Sequence, residues 1–250
     1  MNILKPQDIP FPQEPLWKET LNVLNEAESV DVLTNPKALE NILHFNSKET
    51  RTRYGRAIAT RFTRLEKQVL IGLLNVAKSS IGMKTVEEIW RVLFCMVEPV
   101  VARTYLEIIW PRDPGSAIDR NEIKSYVQTT FSQESRKLNI RLIDCLRQAG
   151  YVISQGKDSL IVVGFGNLED ALILSTHLLL AQTPRTIKLS EIESSNYWRF
   201  LGYRKLDHVK LGFRSAEAKG MLMRYASVDH LEQITTRYSW IELLSKRKET

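Results

Sequence analysis

The sequence predicts a mainly α protein. An N-terminal helical bundle with a helix-turn-helix comes first, then a winged-helix element with a small β-hairpin, then a helical C-terminal part. Three observations point there. Most apolar residues of the 250-residue chain recur at three- and four-residue spacing, the period of a helix with one buried face. One stretch, YVISQGKDSLIVV at 151–163, alternates instead, with Gln155-Gly156-Lys157-Asp158 at its turn. The net charge of +6 is also uneven: residues 46–84 hold nine basic and two acidic side chains, whereas residues 1–45 hold three and seven. Concentrated positive charge is the footprint expected of a chain that meets a polyanion.

Composition sets outer limits. An apolar fraction of 43% and a charged fraction of 26% are those of an ordinary globular protein and exclude a disordered, collagen-like or disulfide-scaffold chain. Cys95 and Cys145 lie in apolar, helical contexts without a CxxC, which predicts two buried, reduced thiols. The start, MNILKPQDIPFPQEP, has no apolar signal region, and the most apolar segment, 160–182, is interrupted by Glu169 and Asp170. The expectation is a soluble, cytoplasmic protein with no membrane partner.

The elements follow in order. Pro6, Pro10, Pro12 and Pro15 predict an extended arm. Leu16, Leu21, Val23 and Leu24 space a first helix within 16–30. Asn35 is an N-cap with Pro36 at the first helical position, opening a short helix through Ile42 and Leu43. HFNS is a tight connection, and Asn46 or Ser47 caps a longer helix. A short helix, a turn and a longer basic helix outline a helix-turn-helix.

That longer helix, NSKETRTRYGRAIATRF, carries four arginines and a lysine against Glu49 alone. Tyr54, Ile58, Phe62 and Leu65 fall on one face and predict contact with the core. Arg53, Arg56, Arg64 and Lys67 then point outward, with Arg51 near the exposed first turn. A merely solvated face usually mixes both signs in i,i+4 pairs. Here Glu49 and Glu66 are too few for the six cations between Arg51 and Lys67, so the spacing predicts an anion-binding face.

Residues 65–112 read as long apolar helices with Trp90, Phe94, Tyr105 and Trp110 in the core. Pro111 and Pro114-Gly115 end the run and set a boundary between domains 1–112 and 113–250. In the winged-helix stretch, 116–165, IDRNEIKSYVQTTF predicts a helix with Ile123, Tyr126 and Val127 inward. SQESRKLNIRLIDCLRQAGYV predicts a longer one with Leu138, Leu142, Cys145 and Leu146 inward, capped by Ser132 or Ser135 and stopped by Gly150. Arg136, Lys137, Arg141 and Arg147 decorate this helix, and Lys157 marks the tip of the wing. Winged helices also bind proteins, so both uses stay open for this element. After a helix at 168–182, the segment SNYWRFLGYRKLDHVKLGFR interleaves Tyr197, Trp198, Phe200, Tyr203 and Phe213 with cations. Such interleaving is found in single-strand binders, and equally in a core helix with a wet face; the core reading is favoured.

Catalytic constellations are not found. His44, His177, His208 and His230 lie far apart with no zinc-ligand spacing. Gly164-Phe165-Gly166 lacks the rest of a phosphate loop, and neither GxSxG nor a kinase signature occurs. Asp207 with Glu217-Ala218-Lys219 has the spacing of some Mg-dependent nucleases, but its flanks read as helix where those enzymes use a buried strand. No catalytic, cofactor or metal residue is expected.

Two stretches carry a resemblance. The basic helix NSKETRTRYGRAIATRF followed by long apolar helices, and RKLNIRLIDCLRQAGYVIS before a polar helical end, together resemble the BrxA proteins of BREX bacteriophage-exclusion systems. The similarity is in the order of elements over most of residues 30–250. It implies a small, mainly helical, non-enzymatic accessory protein that binds DNA, with an N-terminal part similar to the NusB antitermination fold. The proline-rich start and the segment 197–213 have no counterpart there. The expected activity is phosphate-dominated binding of double-stranded DNA through Arg51, Arg53, Arg56, Arg64 and Lys67, with Arg136, Lys137, Arg141 and Lys157 on the second element. Other proteins of a defence complex are expected partners. The alternatives are an RNA or single-strand binder and a protein-interaction scaffold.

Overall fold

A computed structural model describes residues 11–131, 136–165, 168–222, 224–228 and 231–246. It is mainly helical, with two three-stranded antiparallel sheets. Two units share the chain: residues 18–93 with 167–250, and residues 94–166 with the N-terminal segment through Trp17. The boundary expected at 112/113 falls inside the second of these. Pro111 does end a helical run, but the chain turns back at once, and the Gly115 N–H donates to the Val162 carbonyl at 2.9 Å.

The first unit opens with α1 (Trp17–Glu26, entering this unit at Lys18), α2 (Val30–Thr34), α3 (Pro36–Ile42), α4 (Lys48–Phe62), α5 (Lys67–Ala77) and α6 (Met83–Val97, in this unit to Leu93). Local chemistry sets the ends of α3 and α4. Asn35 Oδ1 accepts from the Lys37 N–H at 3.0 Å with Pro36 at the first position, and the Ser47 hydroxyl accepts from the Thr50 N–H. The connection between them is Leu43 to Ser47. Ile58, Phe62 and Leu65 are buried as their spacing predicts, and Phe62 packs 5.3 Å from Trp90. Leu65 and Arg64, expected on the basic helix, lie past the end of α4 in the turn before α5, and Lys67 opens α5.

In the second unit residues 11–16, the described part of the proline-rich arm, form no helix or strand and are held in place, while Pro6 and Pro10 lie outside the described residues. The Phe11 ring meets Phe131 edge-on at 6.2 Å, the Cys145 thiol donates to the Gln13 carbonyl at 3.5 Å, and Trp17 packs on Phe94 at 5.4 Å. After α6, α7 (Pro99–Thr104) runs into a π-helical turn, Tyr105–Ile109, where Tyr105 stacks on Tyr151 at 3.8 Å. Trp110, expected in the core, is only half-buried. Then come β1 (Ala117–Asp119), α8 (Arg120–Phe131), α9 (Arg136–Gln148), β2 (Val152–Gln155) and β3 (Ser159–Val162), in sheet order β1-β3-β2. Strand β1 replaces the start of a predicted helix. The Asp119 carboxylate accepts from the Asn121 N–H at 2.7 Å and opens α8, leaving residues 117–119 to pair with β3. Gly150, at φ 79°, closes α9: the left-handed turn that glycine tolerates lets the Tyr151 N–H reach the Leu146 carbonyl at 2.9 Å. Ile118, Ile123, Val127, Phe131, Leu142, Leu146, Val152 and Leu160 form the core. Tyr126 is half-buried and donates to Glu107 at 2.8 Å, outside that core. The expected caps Ser132 and Ser135 lie outside the described residues.

The chain then re-enters the first unit with α10 (Glu169–Leu180), β4 (Thr186–Lys188), α11 (Leu189–Ser195), α12 (Tyr197–Phe200), α13 (Leu206–Ala218), β5 (Arg224–Val228), β6 (Leu231–Thr235) and α14 (Trp240–Lys246). A second sheet, in order β4-β6-β5, interrupts what the sequence presents as a helical C-terminal part. Its strands of three to five residues are too short for alternation to register. No helix among the described residues is long and apolar enough to cross a membrane.

Candidate nucleic-acid interface

The basic residues of α4 divide by helical phase. Its packed side meets α3 at Gly55, where an added Cβ would lie 2.8 Å from the Pro36 carbonyl oxygen, and buries Ile58 and Phe62. Away from that side, Lys48, Arg53 and Arg56 are exposed, and Arg64 and Lys67 continue the basic surface beyond the helix. Arg53 also lies over the Tyr54 ring at 4.9 Å, and Tyr54 in turn meets Phe45 edge-on at 5.1 Å. This aromatic step leaves Tyr54 half-buried and gives the Arg53 guanidinium a defined seat.

Two arginines of the stretch do other work. Arg51 is half-buried and donates to the carbonyl oxygens of Phe45 and Asn46, so it ties down the α3–α4 connection. Arg61, one turn after Ile58 on the packed side, is 2% exposed. The six cations between Arg51 and Lys67 therefore overstate the charge free at the surface. Lys48, next to the Ser47 cap and missed in the sequence reading, partly replaces it; its place in the same basic stretch was the signal that could have found it.

On α9, Leu142, Ile143, Cys145 and Leu146 are buried, while Arg136, Lys137 and Arg147 are exposed and Arg141 half-exposed. Arg147 pairs with Asp144 at 3.2 Å. Among the described residues, Arg56, Lys67, Arg136, Lys137 and Arg141 have no ionic partner. Lys157 is exposed in the turn between β2 and β3, where Gly156 takes φ 69°. The charges the sequence singles out thus form two groups, one in each unit: α4 with the start of α5, and α9 with the β2–β3 turn.

The aromatic segment offers no stacking platform. Tyr197, Trp198, Phe200, Tyr203 and Phe213 are all buried, and the Tyr197 hydroxyl lies 2.6 Å from Thr176 Oγ1 within the core. Burial pushes the Tyr197 and Tyr203 hydroxyls well above their usual titration range. Asp207 and Glu217 sit on α13, and Lys219 pairs with Glu169 at 3.0 Å. His44 lies 3.4 Å from Glu26, His177 is buried on α10 and His208 is exposed on α13, while His230 and Gly166 fall outside the described residues. Among the described residues no three acidic, histidine or cysteine side chains converge as a metal site. Compared with known proteins, the chain matches no protein-family model, no curated protein and no solved structure.

Proposed function

We propose that this protein is a non-enzymatic DNA-binding accessory protein that holds double-stranded DNA mainly through its phosphates. The observation that carries the reading is the exposed basic surface of α4 and α5. Arg53, Arg56, Arg64 and Lys67 stand outside the packed face, and neither Arg56 nor Lys67 has an ionic partner among the described residues. Cations left without acidic neighbours on a well-packed helix are positioned to displace counterions from a phosphate backbone. The α3–α4 pair supports a helix-turn-helix. The succession β1–α8–α9–β2–β3 with its β1-β3-β2 sheet supports a winged helix as the second reader. With the resemblance to BrxA proteins, the role that follows is that of a cytoplasmic accessory component in bacteriophage exclusion, acting beside other proteins of a defence complex.

Charge reversal tests it. Arg53→Glu with Arg56→Glu is expected to abolish duplex binding at fixed salt with an unchanged circular dichroism spectrum, because both side chains are exposed. Arg136→Glu with Lys137→Glu is expected to weaken binding only in part. Should the second pair be the more damaging, α9 is the main reader; a wild-type protein that retards no duplex at low salt ends the proposal.

A further inference from the structure

We infer that α9 reads thymine in the major groove of duplex DNA through Ile140, so that the second element adds base preference to the phosphate contacts made by α4. The inference rests on the DNA-binding reading proposed above and names what that reading leaves open.

Ile140 is 51% exposed, although α9 is already anchored by Leu142, Ile143, Cys145 and Leu146. Its helical neighbours on the exposed side are Arg136 and Lys137 one turn before and Asp144 one turn after, with the half-exposed Arg141 next to it along the chain. A phosphate gains nothing from an aliphatic group. On the major-groove edge of a base pair the apolar feature is the C5 methyl of thymine. A helix of about 10–12 Å diameter fits a groove about 12 Å wide. In that seat the cations flanking Ile140 reach the phosphates while the isoleucine faces the base edges. Double-stranded RNA offers neither feature, since uracil lacks the methyl and the A-form major groove is too narrow for a helix.

The other exposed positions do not share this setting. Helix α4 exposes no large apolar side chain. Leu211 on α13 is also exposed, but Glu232 holds its neighbour Lys210 at 2.5 Å and Arg214 lies over the Tyr225 ring at 5.1 Å. Ile153 and Leu231 are exposed as well, but on strands. On α9 an exposed aliphatic side chain sits on a helix among Arg136, Lys137 and Arg141, which have no ionic partner within the described residues.

The test uses the full-length protein and two duplexes, alternating dA–dT and the same sequence with dU in place of dT, titrated by fluorescence anisotropy at one salt concentration. The wild type is expected to prefer the thymine duplex by about fourfold for each methyl group covered. Ile140→Ser is expected to bind both duplexes equally, at the wild-type level for dU, and Ile140→Leu to retain the preference. Equal binding of the two duplexes by the wild type overturns the inference without need of any variant, and leaves the phosphate-led reading standing. A thymine preference that survives in a folded Ile140→Ser also overturns it. Binding to neither duplex removes the proposed function itself, and the inference with it.

Discussion

Arg56 and Arg61 lie five residues apart on one helix, yet one is in water and the other in the core. Five residues advance a helix by about 500°, which moves a side chain onto a different face. His177 shows what burial does to a titrating group. It is fully buried on α10, with Nδ1 3.0 Å from the Ile173 carbonyl, and desolvation holds its pKa below the usual imidazole range. The folded state therefore takes up this proton only at a lower pH than the unfolded chain, which does so as the pH falls through about 6.5. Stability from this residue is fully present above that pH and is lost as the pH drops toward the lowered folded value, at up to about 1.4 kcal/mol per pH unit. Urea denaturation at about pH 7 and pH 5 should show the wild type losing more stability than His177→Leu. Parallel losses would mean that other groups dominate the acid response.

At the scale of elements, the α3–α4 pair depends on one close approach. Gly55→Ala would favour the isolated helix by about 1 kcal/mol. In the folded protein the new methyl meets the Pro36 carbonyl oxygen at 2.8 Å, and a backbone atom cannot swing aside. Overpacking of this kind costs about 1–3 kcal/mol, so a net loss of stability is expected, seen as a fall of several degrees in Tm. An unchanged or raised Tm would show that α3 can shift without penalty. Placement matters for α9 as well: the left-handed Gly150 ends it, and β2 starts two residues later with Val152 in the core.

For the whole molecule, the proposed function predicts a steep response to salt. Arg53, Arg56, Arg64, Lys67, Arg136, Lys137 and Lys157 are exposed, and roughly six phosphate contacts give a slope near −5 in log K against log salt. Affinity for duplex should then fall by about 10³ between about 50 and 200 mM salt. Retardation indifferent to salt would contradict a phosphate-led interface. The slope should be shallower in Arg53→Glu with Arg56→Glu wherever residual binding can be measured.

What the sequence determined by itself is what neighbours along the chain decide. Asn35-Pro36 and Ser47 start helices, Gly150 stops one and Gly156 turns a hairpin, because each acts on backbone groups within a few residues. Helical spacing likewise placed Ile58, Phe62, Leu142 and Leu146 inside and marked Arg53, Arg56 and Lys137 as exposed, and the hairpin turn marked Lys157. Tertiary structure alone decided the rest. Arg61 became a core residue, because elements distant along the chain set how wide the buried face of α4 is. Ala117–Asp119 became a strand because β3, some forty residues later, supplies its hydrogen bonds. Residues 18–93 joined 167–250 across an intervening unit for the same reason: burial rewards apolar surfaces that meet in space, and their separation along the chain leaves no local trace in the sequence.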